Sequence, residues 1–296
     1  MADLGHVLVS GSGTGIGRAV VETLAGNGYP VYAAARKEAH LKELSSLEGV
    51  EPVRIDVTSP EDVNRTADRI QKNGTGLYGL VNCAGTADIW PLVGSSEDDL
   101  IRLFDVNVFG MHRLTRALLP LLLKSRGRIV NIGSLGGIAS MKPYGAYCMT
   151  KFAVEAYSEV LASELERYGV KVAIIEPGDY RTNLVDPTTK YVKQRESERT
   201  LALVHEEEAE AKKWLEETIR NYGKRQSPQP VAAAVLHAIS ASRPKFRHAV
   251  SATEAEFLWA LNGLATRLVQ ANAGGGEHTL SKSRLHDLLD RAWGMG

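Results

Sequence analysis

Three residue types at a particular spacing give this chain a candidate reaction site. In Tyr147-Cys-Met-Thr-Lys151 a phenol and an ammonium stand four positions apart, and the pattern that follows is helical through about Tyr168. On a helix beginning near Tyr147 both side chains project from one face, which sets a cation beside the phenol. A free tyrosine titrates near ~10 and is a poor base at neutral pH, whereas a cation within a few ångströms lowers that value by favouring the phenolate. Ser134, thirteen positions upstream at what reads as a strand end, brings a hydroxyl to the same point. Phenol, ammonium and hydroxyl together can hold a carbonyl oxygen and pass it a proton, as general acid catalysis requires. A Tyr and a Lys at this spacing also occur as a half-buried ring beside a solvated amine, so the chemistry depends on a cofactor site elsewhere in the chain.

The amino-terminal region supplies one. His6 to Ser10 is a short apolar run that passes directly into Gly11-Ser12-Gly13-Thr14-Gly15-Ile16-Gly17 and then into a helical stretch through about Ala25. Strand, glycine turn and helix open a βαβ unit, and glycines let a pyrophosphate approach peptide N–H groups at the helix N-terminus. The next strand, Pro30 to Ala35, ends in Arg36-Lys37, with Arg36 nineteen positions beyond Gly17 and Ala35 where an NAD site would place an acid. A base in that place accommodates the 2′-phosphate of NADP, so NADP(H) is favoured over NAD(H).

Further strands follow at βα spacing. Pro52 to Asp56 runs into Val57, with Ser59 or Thr58 expected to cap a helix starting at Pro60. Tyr78 to Asn82 leads into Cys83-Ala84-Gly85, Gly127 to Gly133 delivers Ser134, and Val170 to Glu176 is stopped by Pro177-Gly178, with Thr182 beyond. A long helix is expected from Ser96 to about Ser125, and Asn107 in its interior calls for a kink or a water-held polar site. With a seventh strand at Phe246 to Val250, the alternation predicts an α/β fold, a doubly wound parallel sheet of seven strands with helices on both faces. Ligands of such sheets bind beyond the carboxyl ends of the strands, where the glycine loop, Asn82 to Gly85, Ser134 and Pro177-Gly178 all fall.

Composition excludes other classes. Lys plus Arg and Asp plus Glu are 35 each, so no net charge gathers nucleic acid or anionic lipid. The two cysteines, Cys83 and Cys148, have no metal-ligand or redox spacing and read as reduced thiols. The most apolar window, Ala117 to Leu123, is too short to span a bilayer, and no secretory signal is visible at the N-terminus, so a cytoplasmic protein is expected. Residues 1–252 are read as one Rossmann-type domain with a substrate lid over about 184–228. Residues 253–296 form a helical extension of that domain, with helices at Glu254 to Ala271 and Leu280 to Trp293 separated by glycines 274–276.

These motifs resemble the short-chain dehydrogenase/reductase family over roughly residues 5 to 250, in the branch with a T-G-x-x-x-G-x-G loop, here begun by Ser10. Asn82-Cys83-Ala84-Gly85 is similar to the family's N-N-A-G, Ser134 and Tyr147-x-x-x-Lys151 to its catalytic core, Asn107 to its catalytic-helix Asn, and Pro177-Gly178-x-x-x-Thr182 to its nicotinamide-side loop. The resemblance implies that Tyr147 is the general acid or base, that Lys151 lowers its pKa and holds the nicotinamide ribose, that Ser134 orients the carbonyl, and that Asn107 anchors a proton-relay water. Asp56, with the adjoining Val57, would meet the adenine. Thr14 stands where the family's amino-terminal phosphate-binding base would be, which leaves the NADP preference on Arg36. The Ser227-Pro-x-Pro-Val-Ala segment is similar to the 17β-hydroxysteroid and retinol dehydrogenase subgroup, which implies a bulky apolar alcohol or ketone as substrate. The family also implies a homodimer or homotetramer through the helices starting near Ser96 and Tyr147. The expected activity is NADP(H)-dependent transfer of hydride between the nicotinamide and a secondary alcohol or ketone. An NAD(H)-dependent alcohol dehydrogenase and a non-catalytic dinucleotide sensor are the alternatives, and a nucleotide-sugar epimerase fits the glycine loop poorly.

Overall fold

The short apolar runs fold into one sheet: β1 (His6–Val9), β2 (Val31–Ala35), β3 (Val50–Arg54), β4 (Leu77–Asn82), β5 (Arg128–Ile132), β6 (Lys171–Pro177) and β7 (Arg247–Val250). The computed structural model describes residues 5–182, 184, 205–273 and 279–293. The strand order is β3-β2-β1-β4-β5-β6-β7 and every pairing is parallel. The chain builds outward from β1 in one direction through β2 and β3, then returns to β4 and builds in the other. That reversal opens a crevice at the carboxyl ends of β1 and β4, the place where sheets of this kind take ligands.

Because side chains alternate across a strand, each strand serves two cores. Val7, Val9, Ala33 and Ala35 pack on one face with Val20 and Leu24 of α1 (Gly15–Gly26) and with Val231, Val235 and Ile239 of a later helix, α8 (Gln229–Ser240). Leu8, Tyr32, Ala34 and Leu80 pack on the other with Ile70 of α3 (Pro60–Asn73), Leu114, Leu118 and Leu122 of α5 (Gly110–Ser125), and Leu165 of α6 (Gly145–Glu166). A short α2 (Glu38–Leu44) follows β2. Ser59 does cap α3, its hydroxyl accepting from the Asp62 N–H at 3.1 Å, with Pro60 in the first turn.

The helix expected over Ser96 to Ser125 is not uniform. α4 (Glu97–Phe104) and α5 are joined by a π-helical turn at Asp105–Phe109 that contains Asn107. A π turn carries one extra residue, and such turns recur at functional sites. Here it rotates Asn107 inward, to 3% exposure, and brings Gly110 so close to Val57 that a Cβ there would lie 2.7 Å from the valine Cγ2.

Beyond β6 lie α7 (His205–Asn221), α8, α9 (Glu254–Asn272) and α10 (Lys282–Trp293). Of the expected lid, residues 185–204 lie outside the described residues, as do residue 183 and the glycines 274–276. α9 docks through Gly263, where a Cβ would meet that of Ala139 at 2.5 Å, and through Arg267, whose guanidinium stands 4.7 Å from the Phe152 ring centre. Among the described residues no helix is long and apolar enough to cross a membrane.

Candidate active site

The glycine loop leaves β1 in a conformation that excludes side chains. Gly11 has φ +68, and a Cβ on it would lie 2.8 Å from the Ala84 Cα; a Cβ on Gly17 would lie 2.2 Å from the Gly11 carbonyl oxygen. The loop is thus a backbone-lined cradle at the start of α1, with N–H groups where a pyrophosphate binds. Ser12 is spent on the loop itself, donating to the Val9 carbonyl at 2.6 Å, and Ile16 packs against the core. Thr14 precedes α1 without a side-chain capping bond, and Gly13 lies directly beneath the His40 ring, whose Nδ1 would be 2.3 Å from a Cβ there. Thr182 closes over Gly15, its Cβ 3.1 Å from where a Cβ of that glycine would be.

Ser10 holds this loop to the next strand. Its Oγ accepts from the N–H groups of both Cys83 and Ala84, each at 3.0 Å. Serine in place of the family's threonine therefore keeps the hydroxyl that the turn uses. The Cys83 thiol is pushed up to about 12 by burial, so it stays neutral and leaves the local bonding to the backbone. Asn82 is buried, its amide donating to Thr115 Oγ1 at 3.0 Å and to Asn131 Oδ1 at 2.9 Å. Gly85 follows, exposed in the crevice.

β5 delivers Ser134 into a 3-10 turn, Leu135–Gly137, and α6 begins at Gly145, two residues before Tyr147. Ser134 Oγ accepts from the Gly136 N–H at 3.0 Å and lies near enough to the Tyr147 phenol to favour its ionised form, and a Cβ on Gly136 would lie 3.3 Å from Ser134 Oγ and 3.6 Å from Tyr147 Cε1. Lys151 is buried, its Nζ donating to the Ile132 carbonyl at 2.8 Å and standing 5.5 Å from the Tyr147 ring centre. The three expected residues are together, but their charge balance differs from the sequence expectation. Burial pushes the Tyr147 pKa above the ordinary tyrosine value, opposed by the Ser134 hydroxyl, and burial pulls Lys151 down to about 8. The ammonium is turned to a carbonyl oxygen at the end of β5, and burial is the largest influence on the phenol. The phenol is accordingly neutral at physiological pH, which fits it as a proton donor.

Asn107 ties two parts of the site together. Its amide donates to the Thr86 carbonyl at 2.8 Å and to Thr150 Oγ1 at 2.9 Å, while its Oδ1 accepts from the Thr86 N–H at 2.8 Å. Thr150 in turn donates to the Tyr147 carbonyl at 2.7 Å. Both amide hydrogens are spent within the protein, which leaves the second lone pair of Oδ1 and the backbone carbonyl as the groups by which Asn107 would hold a water. Thr86 and Thr150 are structural partners that no sequence motif singled out.

At the far end of the crevice Arg36 is exposed, its Nη1 3.4 Å from Asp56 Oδ2. Burial works against the Asp56 carboxylate, yet hydrogen bonds from Thr58 and the Arg36 charge hold its pKa below the usual carboxylate range. Val57 is buried under α5 and offers only backbone to a ligand. Pro177 ends β6 beside Val250, and Gly178 packs under the Glu256 carboxylate, whose Oε2 accepts from the Asp179 and Ala252 N–H groups and would have to move for a side chain there. Above Tyr147 stands an aromatic wall that the sequence did not reveal. The Tyr144 ring lies edge-on to both Tyr147 and Trp214, each at 6.3 Å, and Leu215 of α7 packs with Ile89 and Trp90.

The sheet order and the glycine cradle define a Rossmann-type dinucleotide-binding fold. The sequence profile described as short chain dehydrogenase matches residues 5–193, and the chain belongs to that family of NAD(P)-dependent oxidoreductases acting on CH–OH groups. It is 36% identical over 247 residues to an uncharacterized oxidoreductase, YbbO, of Escherichia coli, covering 83% of this chain and 85% of that one. It is 32% identical over 281 residues to mouse retinol dehydrogenase 16, covering 90% of this chain and 86% of the relative. A Streptomyces avermitilis short-chain dehydrogenase superposes with TM-score 0.72 at 30% identity, covering 92% of this chain and 95% of that one. The Burkholderia phymatum member solved with NAD shares the fold with TM-score 0.75 at 24% identity, over 95% of this chain and all (100%) of that one. A metagenomic member solved with NADP superposes with TM-score 0.63 at 21% identity, over 84% of this chain and 98% of that one. The cofactor of this chain is a nicotinamide dinucleotide.

Proposed function

We propose that the chain is an NADP(H)-dependent oxidoreductase that interconverts a bulky apolar ketone and its secondary alcohol, with Tyr147 as the proton donor in reduction. The observation that carries this reading is the Tyr147 ring, its centre 5.5 Å from the buried Lys151 ammonium, which donates to the Ile132 carbonyl, with Ser134 beside them at the carboxyl end of β5.

The nicotinamide dinucleotide supplies and accepts the hydride. The rest falls to the chain's own groups. The glycine cradle of residues 11–17, narrowed to backbone by Ala84 and closed by Thr182, fits a pyrophosphate. Asn82 to Gly85 and Pro177-Gly178 present backbone along the crevice, and Asp56 with Val57 borders its adenosine end. Ser134 donates a hydrogen bond to the substrate carbonyl oxygen, and Tyr147 Oη delivers the proton as the alkoxide forms. Lys151 places positive charge next to the phenol and offers the donors it does not spend on Ile132 to the nicotinamide ribose. Asn107 locks the crevice loop to α6 and so fixes the position of Tyr147.

The NADP preference is supported by Arg36, exposed at the end of β2 after an alanine. The apolar substrate is supported by the wall of Tyr144, Trp214, Leu215 and Trp90, and by the retinol dehydrogenases among the relatives. α7 is the described part of the proposed lid, anchored at its carboxyl side by the Arg225–Asp179 ion pair at 2.8 Å. Association into dimers or tetramers is supported by exposed Ile101 and Phe109 around α4 and by Met149 and Val160 on α6.

The test is direct. Calorimetric titration with NADPH and NADH separately is expected to give tighter binding of NADPH, and Tyr147→Phe is expected to keep that binding while losing at least a hundredfold of ketone reduction. Tyr147→Phe with near-normal turnover overturns the role of the phenol, and binding of neither dinucleotide overturns the cradle.

A further inference from the structure

One turn beyond Lys151 on α6 sits a carboxylate that the reaction above does not use. Glu155 is 8% exposed, and Glu176 on β6 is fully buried. Both meet Arg247 of β7: its guanidinium donates to Glu155 Oε2 at 2.6 Å, to Glu159 Oε1 at 3.0 Å, and to Glu176 Oε1. The second oxygens, Glu155 Oε1 and Glu176 Oε2, are buried without a hydrogen-bond partner. Glu155 Oε1 is wedged behind the Ser134 turn, 3.0 Å from where a Cβ of Gly133 would be and 3.1 Å from that of Gly137. A carboxylate buried with one oxygen unpaired is costly, and proteins keep such groups where the charge is used.

We propose that Glu155 is a positioning residue for the Tyr147–Lys151 couple: its carboxylate, clamped by Arg247 from the sheet edge, holds Lys151 in its charged form. The inference rests on the reading of Lys151 given above. Tyr147, Lys151 and Glu155 follow one another at four-residue intervals along one helix face, so the carboxylate lies one turn beyond the ammonium and acts on it through space, the Lys151 Nζ itself donating to the Ile132 carbonyl. The charged groups facing Glu155 are Lys151 and Glu159 on its own helix, Glu176 on β6 and Arg247 on β7. Its charge opposes the burial that makes Lys151 shed its proton. Burial pushes the Glu155 pKa up and the Arg247 charge pulls it back, so the clamp is what keeps the carboxylate ionised; the ionised Glu155 raises the proton affinity of Lys151, and removing it lets the lysine lose its charge at a lower pH.

The experiment follows the Lys151 side chain by NMR in full-length protein carrying [13Cε]lysine, with the resonance assigned by its absence in Lys151→Arg. Glu155→Gln, which keeps the shape, is expected to lower the Lys151 midpoint by about one pH unit, a tenfold weaker proton affinity, and Glu155→Asp to restore most of it. Should Glu155→Gln fail to fold, the wild-type protein carries the test. The Glu155 carboxyl carbon in [13Cδ]glutamate-labelled protein is expected to shift with the same midpoint as Lys151, because coupled sites sense one another's titration. An unchanged Lys151 midpoint in Glu155→Gln, or a Glu155 carbon blind to the Lys151 titration, overturns the proposal. These readouts need no cofactor, so failure of NADPH to bind counts against the proposed activity alone, and an unmoved midpoint counts against this inference alone.

Discussion

Ser10→Ala tests whether one hydroxyl joins the two halves of the cofactor crevice. Ser10 is 2% exposed, and its oxygen accepts from two backbone N–H groups, those of Cys83 and Ala84, at 3.0 Å each. Alanine removes the acceptor and leaves both donors buried, and the hole it makes, one oxygen wide, does not admit a water. Each orphaned buried amide costs about 1–3 kcal/mol, so a loss of about 3 kcal/mol is expected for the pair after some relaxation. In urea unfolding at a slope near ~3 kcal/mol/M, that is a fall of about 1 M in the midpoint with the slope unchanged. The same change should weaken dinucleotide binding, because the Ala84 backbone that Ser10 fixes lies against Gly11. Ser10→Thr retains the oxygen and should stay within about 1 kcal/mol of wild type. A loss below about 1 kcal/mol for alanine, or a threonine variant as weak as the alanine one, would refute the assignment of this energy to the hydroxyl.

Other substitutions separate binding, stability and charge. Arg36→Ala should weaken NADPH binding about tenfold to a hundredfold, as loss of a charge-assisted contact does, and leave NADH binding within a few-fold; calorimetry with both dinucleotides decides it, and equal losses would mean that Arg36 does not read the 2′-phosphate. Lys151→Met should abolish turnover yet raise the melting temperature near pH 7. The burial that pulls Lys151 to about 8, from 10.5 when free, destabilises the charged fold by up to about 3 kcal/mol, partly offset by the lost bond to Ile132. The sign follows from proton counting: between those two values the unfolded chain binds more protons, so wild-type stability rises with pH there and the advantage of the methionine variant shrinks. Asn107→Ala should cost about 2–4 kcal/mol in the same urea assay, since Thr86 loses partners for both its N–H and its carbonyl while Thr150 loses a donor. Trp214→Ala should raise KM for a bulky ketone about tenfold and change that for acetone by less than twofold, measured by NADPH oxidation.

What the sequence revealed and what it hid divide along one physical line, the reach of local spacing. β1, the glycine loop and α1 were legible because strand, turn and helix are contiguous, and the steric reason for each glycine lies within a few residues or at the next strand. Tyr147 and Lys151 were legible because a helix fixes the relation of positions four apart. The π turn around Asn107 was half legible: an asparagine inside a helix signalled a departure, but its cause is Thr86 and Thr150, brought in from two other elements. The charge state of the couple is hidden for the same reason. Spacing along α6 places an ammonium near a phenol, but whether the ammonium or the surrounding protein governs the phenol depends on the Ile132 carbonyl and on how much water is excluded, both set by the sheet. Glu155 lies one turn further along the same face, and nothing local marks it, because its partner Arg247 is ninety-two residues away in sequence. Tyr144 and Trp214 likewise meet only because α7 folds back over the start of α6. Local chemistry therefore identifies the reacting groups, and long-range burial decides their protonation. If Lys151 serves the proposed reaction, its protonation, rather than the presence of the Tyr-x-x-x-Lys motif, is expected to set the working pH, and a pH profile of ketone reduction that ignores the Lys151 midpoint would refute that link.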